Sequence, residues 1–170
     1  MNAVQRSISL MLAAAGAVLV PMAAALERGE ILEQMKRRRP ADLRILDTRP
    51  GGLGDTILGM FALSGDPADP DLRRYKLWIE SSDDLVIPTE SVNCSTDSPM
   101  RVTRDGAAIY VRRLNPGGTV NPGNRNDHLV WWAACVPDQA GRDPATLTDA
   151  ARALGFSTLL VESTETLRLP

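Results

Sequence analysis

Two cysteines place the strongest constraint on how this chain can fold. Cys94 and Cys135 are the only cysteines among its 170 residues. An even number of cysteines in an exported chain favours a disulfide. Such a bond stabilises a fold by about 4 kcal/mol for a loop of this length on the chain-entropy model. We therefore expect the two Cα atoms to lie within about 7 Å of each other.

The N-terminus indicates that the chain reaches an oxidising compartment. Residues 1–25 are typical of a secretory signal, because Arg6 is their only charge and residues 10–20 are all small or apolar. That run is too short for an ordinary membrane span. We predict cleavage after Ala25, which leaves one exported domain over residues 26–170.

Composition narrows the class of protein. The chain carries 19 basic and 21 acidic residues, a net charge of -2, and 44% of its residues are hydrophobic. The absence of a basic excess argues against a nucleic-acid partner, and the apolar fraction is that of a folded domain. The glycines of residues 51–55 match neither the dinucleotide-binding nor the P-loop pattern. We predict no cofactor, and a single histidine without a C-x-x-C motif predicts no metal site.

A β-hairpin is predicted over residues 100–114. Two β-prone runs flank Asp105 and Gly106, and an Asp-Gly pair favours a two-residue type I′ turn. That turn requires positive φ at both positions, which aspartate tolerates and glycine prefers.

Helices are predicted on either side of the strands. In the helix predicted over residues 26–39, Ile31, Leu32 and Met35 form a narrow apolar stripe and residues 36–39 are basic. Residues 144–154 follow Asp143, a good N-cap, and precede Gly155, a good helix terminator. A final strand is predicted at 156–162. Together these elements predict an α+β fold: a single domain with a mostly antiparallel sheet, packed by the C-terminal helix.

The segment between the hairpin and the C-terminal helix is unusually rich in turn residues. Asn-Pro-Gly occurs at 115–117 and again at 121–123, which predicts two type II turns with positive φ at each glycine. The apolar run at 129–136 is interpreted as a strand, so that Trp131 and Trp132 point to opposite faces. Alternatively, both tryptophans belong to the core.

The turn-rich loop over 115–128 is the candidate binding surface. It would present Arg125, Asn126, Asp127 and His128 beside an outward-facing tryptophan. We therefore expect an exported, non-catalytic binding or accessory protein that engages a partner protein or a small ligand. Its expected location is the periplasm or another extracytoplasmic space, or a lumen if the organism is photosynthetic.

Two other functions remain open. One is a small periplasmic hydrolase with His128 as general base, although no G-x-S-x-G motif accompanies it. The other is a membrane-tethered subunit with an uncleaved N-terminal helix, because the apolar residues 8–25 reach the lower length limit of a span. No stable membrane span is expected once the signal is cleaved.

Overall fold

The computed structural model of the protein describes residues 20–169. Within this part of the chain, one antiparallel sheet of eight strands is accompanied by three α-helices, so the predicted α+β fold is confirmed. In chain order the elements are α1 (Val20–Arg37), β1 (Arg44–Arg49), β2 (Thr56–Asp66), β3 (Asp69–Glu80), β4 (Leu85–Val86), β5 (Thr89–Asn93), β6 (Met100–Asp105), β7 (Ala108–Arg113), α2 (Arg125–Cys135), α3 (Thr148–Ala153) and β8 (Ser163–Arg168).

The sheet is a meander in which the strand order β1-β2-β3-β5-β6-β7-β8 follows the chain. The long strand β3 pairs with β2 along one side, and with β5 and the short β4 along the other. After β7 the chain forms α2 and α3 and then returns as β8, antiparallel to β7. Strands β1 and β8 are therefore the two edges of the sheet.

Helix α2 packs on one face of the sheet, here called the inner face, and contacts β1, β2, β3, β5 and β6. Its buried residues join side chains of the inner face in one hydrophobic core. The predicted strand at 129–136 is thus wrong, because the segment is helical. A short apolar run that is covered on all sides has no periodicity to distinguish helix from strand. Trp131 and Trp132 are each 1% exposed, so the alternative that both belong to the core is confirmed.

The predicted hairpin is confirmed as β6 and β7, but its turn lies one residue later than expected. Asp105 is the last residue of β6 and pairs with Ala108, so Gly106 and Ala107 form the turn. Gly106 has φ +56°, whereas neither Asp105 nor Ala107 has a positive φ. The predicted type I′ turn is therefore wrong, and a glycine in the first turn position is instead typical of type II′.

The two Asn-Pro-Gly turns also differ from the prediction. Backbone bonds close both, from Gly118 N–H to the Asn115 carbonyl (2.9 Å) and from Asn124 N–H to the Asn121 carbonyl (3.2 Å). Neither turn glycine has a positive φ, so the type II assignment is wrong. Close packing favours glycine there instead: a Cβ on Gly117 would lie 3.2 Å from Cβ of Ala151, and a Cβ on Gly123 would lie 3.2 Å from Oδ1 of Asn121.

The C-terminal helix is confirmed, although a 3-10 turn, Pro144–Thr146, precedes α3. The Asp143 carboxylate accepts a hydrogen bond from Ala145 N–H (3.3 Å), and Gly155 follows the helix with φ +90°. The final strand begins at Ser163 rather than at residue 156. Its place depends on pairing with β7, which local sequence does not reveal.

The predicted disulfide is confirmed. Cys94, just after β5, is bonded to Cys135, the last residue of α2, with a Cα–Cα distance of 5.4 Å. The predicted signal peptide lies mostly in residues 1–19, outside the described residues, and the predicted cleavage position lies inside α1. None of the helices described here is long and apolar enough to span a membrane.

Candidate functional site

The predicted binding residues form the first turn of α2 rather than part of a loop. Successive residues of a helix point about 100° apart, and these side chains diverge accordingly. Arg125 and Asn126 contact β1, Asp127 contacts β6, and His128 contacts the segment before β8. The structure thus spreads the four predicted residues around the first turn of the helix instead of placing them on one surface.

A buried ion cluster anchors Asp127. Arg101 of β6 lies between two carboxylates, with N–O distances of 2.7 to 3.0 Å to Glu90 and 2.7 Å to Asp127. The Tyr75 hydroxyl donates to Glu90 at 3.1 Å. Burial raises the pKa of Tyr75 well above its ordinary value, so the phenol keeps its proton and remains a donor. This cluster attaches α2 to the middle of the sheet.

A second, more exposed cluster attaches α2 to the end of β1. Asp47 accepts hydrogen bonds from Arg125 at 2.8 Å and from Arg49 at 2.7 Å, and Arg49 also bonds to Asn126. Burial by itself would raise the pKa of Asp47, but the hydrogen bonds from Arg125 and Arg49 outweigh it and lower the pKa. The carboxylate is therefore charged at neutral pH and orients both guanidinium groups.

A cavity of about 120 Å³ lies between these two clusters and is here called the α2 cavity. Polar groups of Asp47, Arg49, Thr56, Arg101 and Asn126 surround an apolar part formed by Leu58, Leu77, Ile79 and Val130. A mostly apolar hollow with a few placed polar groups is typical of a binding site. Of the residues predicted from sequence, only Asn126 lines it.

The turn-rich loop borders a neighbouring hollow of about 290 Å³, here called the loop groove. Arg49 and Arg125 line it, together with Asp143 and the loop residues Val120, Asn121 and Pro122. Because Arg49 also lines the α2 cavity, the two hollows adjoin at this side chain. The turn-rich loop therefore lines the loop groove, whereas strand residues make up most of the lining of the α2 cavity.

His128 is wholly buried. Its Nε2 lies 2.7 Å from Oε1 of Glu162, and its Nδ1 is buried without a partner among the described residues. Glu162 also accepts hydrogen bonds from the backbone N–H of Asn115 (3.0 Å) and from Asn124 Nδ2 (2.9 Å). Burial would raise the pKa of Glu162, but the bonds from Asn124 and Asn115 and the nearby His128 lower it. His128 therefore fastens the segment before β8 to α2.

Glu162 also faces a third hollow, an open polar cleft of about 510 Å³. Asparagine, threonine and glycine residues of the loop and of the C-terminal segment make up most of its lining. The Asn115 amide donates to the carbonyls of Thr158 (3.0 Å) and Leu160 (2.9 Å), and these bonds connect the loop to the C-terminal segment beside the cleft. The loop thus separates the cleft from the loop groove.

The two predicted tryptophans are not available as a binding platform. Trp131 donates from Nε1 to the Asn93 carbonyl at 2.9 Å, and its ring meets Trp132 edge-on with centroids 5.4 Å apart. Nε1 of Trp132 is buried without a partner within residues 20–169. Both rings therefore belong to the core that holds α2 on the sheet, and neither is exposed at the surface.

No group of three metal-ligating side chains occurs in the described residues. Comparison of the chain with protein-family models, with curated proteins and with solved structures finds no match to any of them.

Proposed function

We propose that the protein is an exported, non-catalytic binding protein that holds a partner protein at the α2 cavity and the adjoining loop groove. The observation that carries this proposal is the α2 cavity itself, an apolar hollow with a rim of charged and amide side chains. Protein interfaces owe most of their affinity to a few anchor side chains that fill such hollows inside a polar rim.

The size of the hollow favours a partner protein over a free ligand. Sites for drug-sized molecules are typically about 300–1,000 Å³, whereas the α2 cavity is about 120 Å³. One apolar side chain suits this volume. The loop groove beside it, at about 290 Å³, would take the neighbouring residues of the same segment.

The rim suits a polypeptide as well. The Arg49 side chain is half exposed and held by Asp47 and Asn126, so its remaining N–H groups can donate to a backbone carbonyl or a carboxylate. Because hydrogen bonds already orient the rim, little side-chain entropy would be lost on binding. The disulfide supports an oxidising compartment as the place of action.

The hydrolase alternative receives no such support. A general base must reach a proton that it abstracts, but the His128 ring is buried and its Nε2 is occupied by Glu162. Among the described residues, no hydroxyl or thiol is hydrogen-bonded to this ring.

Site-specific photo-crosslinking tests the proposal. A photo-reactive amino acid replaces Thr56, at the exposed rim of the cavity, and in a control it replaces Thr89, an exposed strand residue away from the cavity. In cells that export the protein, position 56 should yield one discrete crosslinked partner that position 89 does not.

A second substitution shows whether the cavity is responsible. Ile79→Phe fills the hollow from its lining, whereas Ile109→Phe makes the same change at a partly buried strand residue outside it. The first should lower the crosslinking yield by about tenfold or more, as expected for loss of an anchor contact, and the second should not. Equal yields from the two folded variants would refute the proposed site.

A further inference from the structure

The two edge strands of the sheet, β1 and β8, differ in how they are protected from pairing with another strand. At β1 the pairing with β2 is interrupted by a bulge between Ile45 and Asp47. The segment after α2 then lies against this edge: Arg44 donates to the Pro137 carbonyl at 3.1 Å, and a Cβ on Gly141 would lie 3.1 Å from the Ile45 carbonyl oxygen. Bulges and covering segments are two of the ways in which proteins prevent edge-to-edge pairing.

Within residues 20–169, neither a bulge nor a covering segment protects the edge at β8. All of its residues, Ser163–Arg168, are exposed, and the pairing with β7 is regular from end to end. Leu169 N–H donates to the Ala107 carbonyl at 2.8 Å. Because the inward-facing N–H groups of an antiparallel strand alternate, those of Thr164, Thr166 and Arg168 point away from the sheet.

These outward N–H groups have no backbone acceptor within residues 20–169. The strand also buries none of its side chains, although ordering a strand costs conformational entropy that burial of one face usually offsets. A regular, uncovered edge of this kind presents a row of N–H and C=O groups with which the strand of another chain can pair.

We propose that β8 pairs antiparallel with β8 of a second copy, so that the two sheets become one continuous sheet across a two-fold axis. Pairing of β8 with β1 of another copy would instead be a head-to-tail contact, which produces a ring or an open-ended filament. The bulge and the covering segment at β1 oppose that arrangement. A closed dimer through two identical edges is therefore the arrangement that this sheet permits.

The register of such a pair is restricted by charge and hydrophobicity. A two-fold axis at Glu165 would place two carboxylates opposite each other, which is destabilising. An axis at Leu167 places this residue opposite its own copy and Thr166 opposite Arg168, with no like charges facing. It also covers the Leu167 side chain, which is 46% exposed in the single chain. We therefore assign the axis to Leu167.

Thr166→Pro tests this interface selectively, because it removes an outward N–H that the ladder with β7 does not use. Thr166→Ala keeps the N–H and is the matched control. In sedimentation-equilibrium measurements on the protein purified after export, the parent and Thr166→Ala should be dimers. Thr166→Pro should raise the dissociation constant by about tenfold or more, with an unchanged circular dichroism spectrum.

Leu167→Lys provides a second test that leaves the backbone unaltered. It places two ammonium groups opposite each other at the axis and should therefore also give a monomer. This variant tests the proposed dimer even if Thr166→Pro does not fold. A parent chain that stays monomeric at several hundred micromolar, open-ended assemblies, or equal dimerisation of Leu167→Lys and the parent would overturn the proposal.

Discussion

At the scale of single residues, this domain depends on buried or half-buried carboxylates that accept hydrogen bonds from other segments of the chain. Glu90, Asp127, Asp47 and Glu162 each join segments that are distant in sequence. Buried or half-buried charges of this kind contribute little when fully paired, but they are costly when a partner is removed. The effects of substitution should therefore be large at the partner residues.

Arg101→Leu should lower the free energy of unfolding by about 3–5 kcal/mol, because it leaves Glu90 buried without its cation. Asp127 would keep only its weaker ion pair with Arg112, at 3.7 Å. Arg104→Leu, on the exposed end of the same strand, should change it by no more than about 0.5 kcal/mol. Urea unfolding of both variants measures the difference. A loss below about 1 kcal/mol for Arg101→Leu would show that the cluster is solvated.

The stabilising contribution of Glu162 should depend on pH. The pKa of Glu162 in the folded protein is lowered from the ordinary value of 4.5. Its contribution to the free energy of unfolding is therefore complete above the ordinary pKa, and it is lost as the pH falls through the lower, folded-state pKa. Glu162→Gln should therefore cost about 1–2 kcal/mol at neutral pH, and this difference from the parent should shrink in acid. Glu165→Gln, on exposed β8, is the control, and a pH-independent difference would contradict this role.

At the scale of elements, α2 is attached to the domain at both ends. Its first turn is joined to β1 and β6 through Asp47 and Arg101, and its last residue is joined to the end of β5 through the disulfide. Both tryptophans pack along the length between these attachments. The position of α2 determines the shape of the α2 cavity, so the attachments also support the proposed binding site.

Replacing Cys94 and Cys135 together with serine should lower the free energy of unfolding by about 2–5 kcal/mol, the usual range for a native disulfide in a small domain. The melting temperature measured by differential scanning calorimetry should fall accordingly. Reduction of the parent protein should produce the same fall, whereas the reductant should leave the double variant unchanged. If the melting temperatures of parent and variant coincide under oxidising conditions, the bond does not stabilise the fold.

At the scale of the whole molecule, the sheet and its helices form a unit to which α1 adds little. The exposed side chains Ile31 and Met35 show that the apolar stripe of α1 is not packed into the core. Near the end of this helix, Lys36 donates to the Ser82 carbonyl at 3.0 Å. Arg39, just beyond the helix, contacts Glu80 at 2.8 Å.

A chain that begins at Arg39 should therefore fold as the full chain does. It keeps the ion pair with Glu80 and loses only the helix, so its melting temperature should lie within about 5 °C of the parent's, equivalent to about 1 kcal/mol. Thermal unfolding followed by circular dichroism measures this. A large loss of stability would mean that α1 belongs to the folded core.

Local chemistry in the sequence determined the elements whose signals are short in range. The hairpin follows from two β-prone runs around Gly106, the C-terminal helix from Asp143 and Gly155, and the disulfide from the number of cysteines and the N-terminal segment. Each of these signals acts within a few residues or depends only on composition, so no knowledge of packing was needed.

Only the tertiary structure decided the conformation of α2, the place of β8 and the lining of the α2 cavity. The apolar run at 129–136 has no periodicity and becomes a helix here because the inner face of the sheet covers it. The segment near the C-terminus becomes strand β8 because it pairs with β7. The turn-rich loop was enough to propose Asn126 as a binding residue. Leu58 and Ile79, which also line the cavity, lie about 50–70 positions earlier, on strands whose alternating pattern indicates only which face is buried. Which of those buried positions border a hollow depends on how the helix lies across the sheet, and that is a property of packing between distant segments.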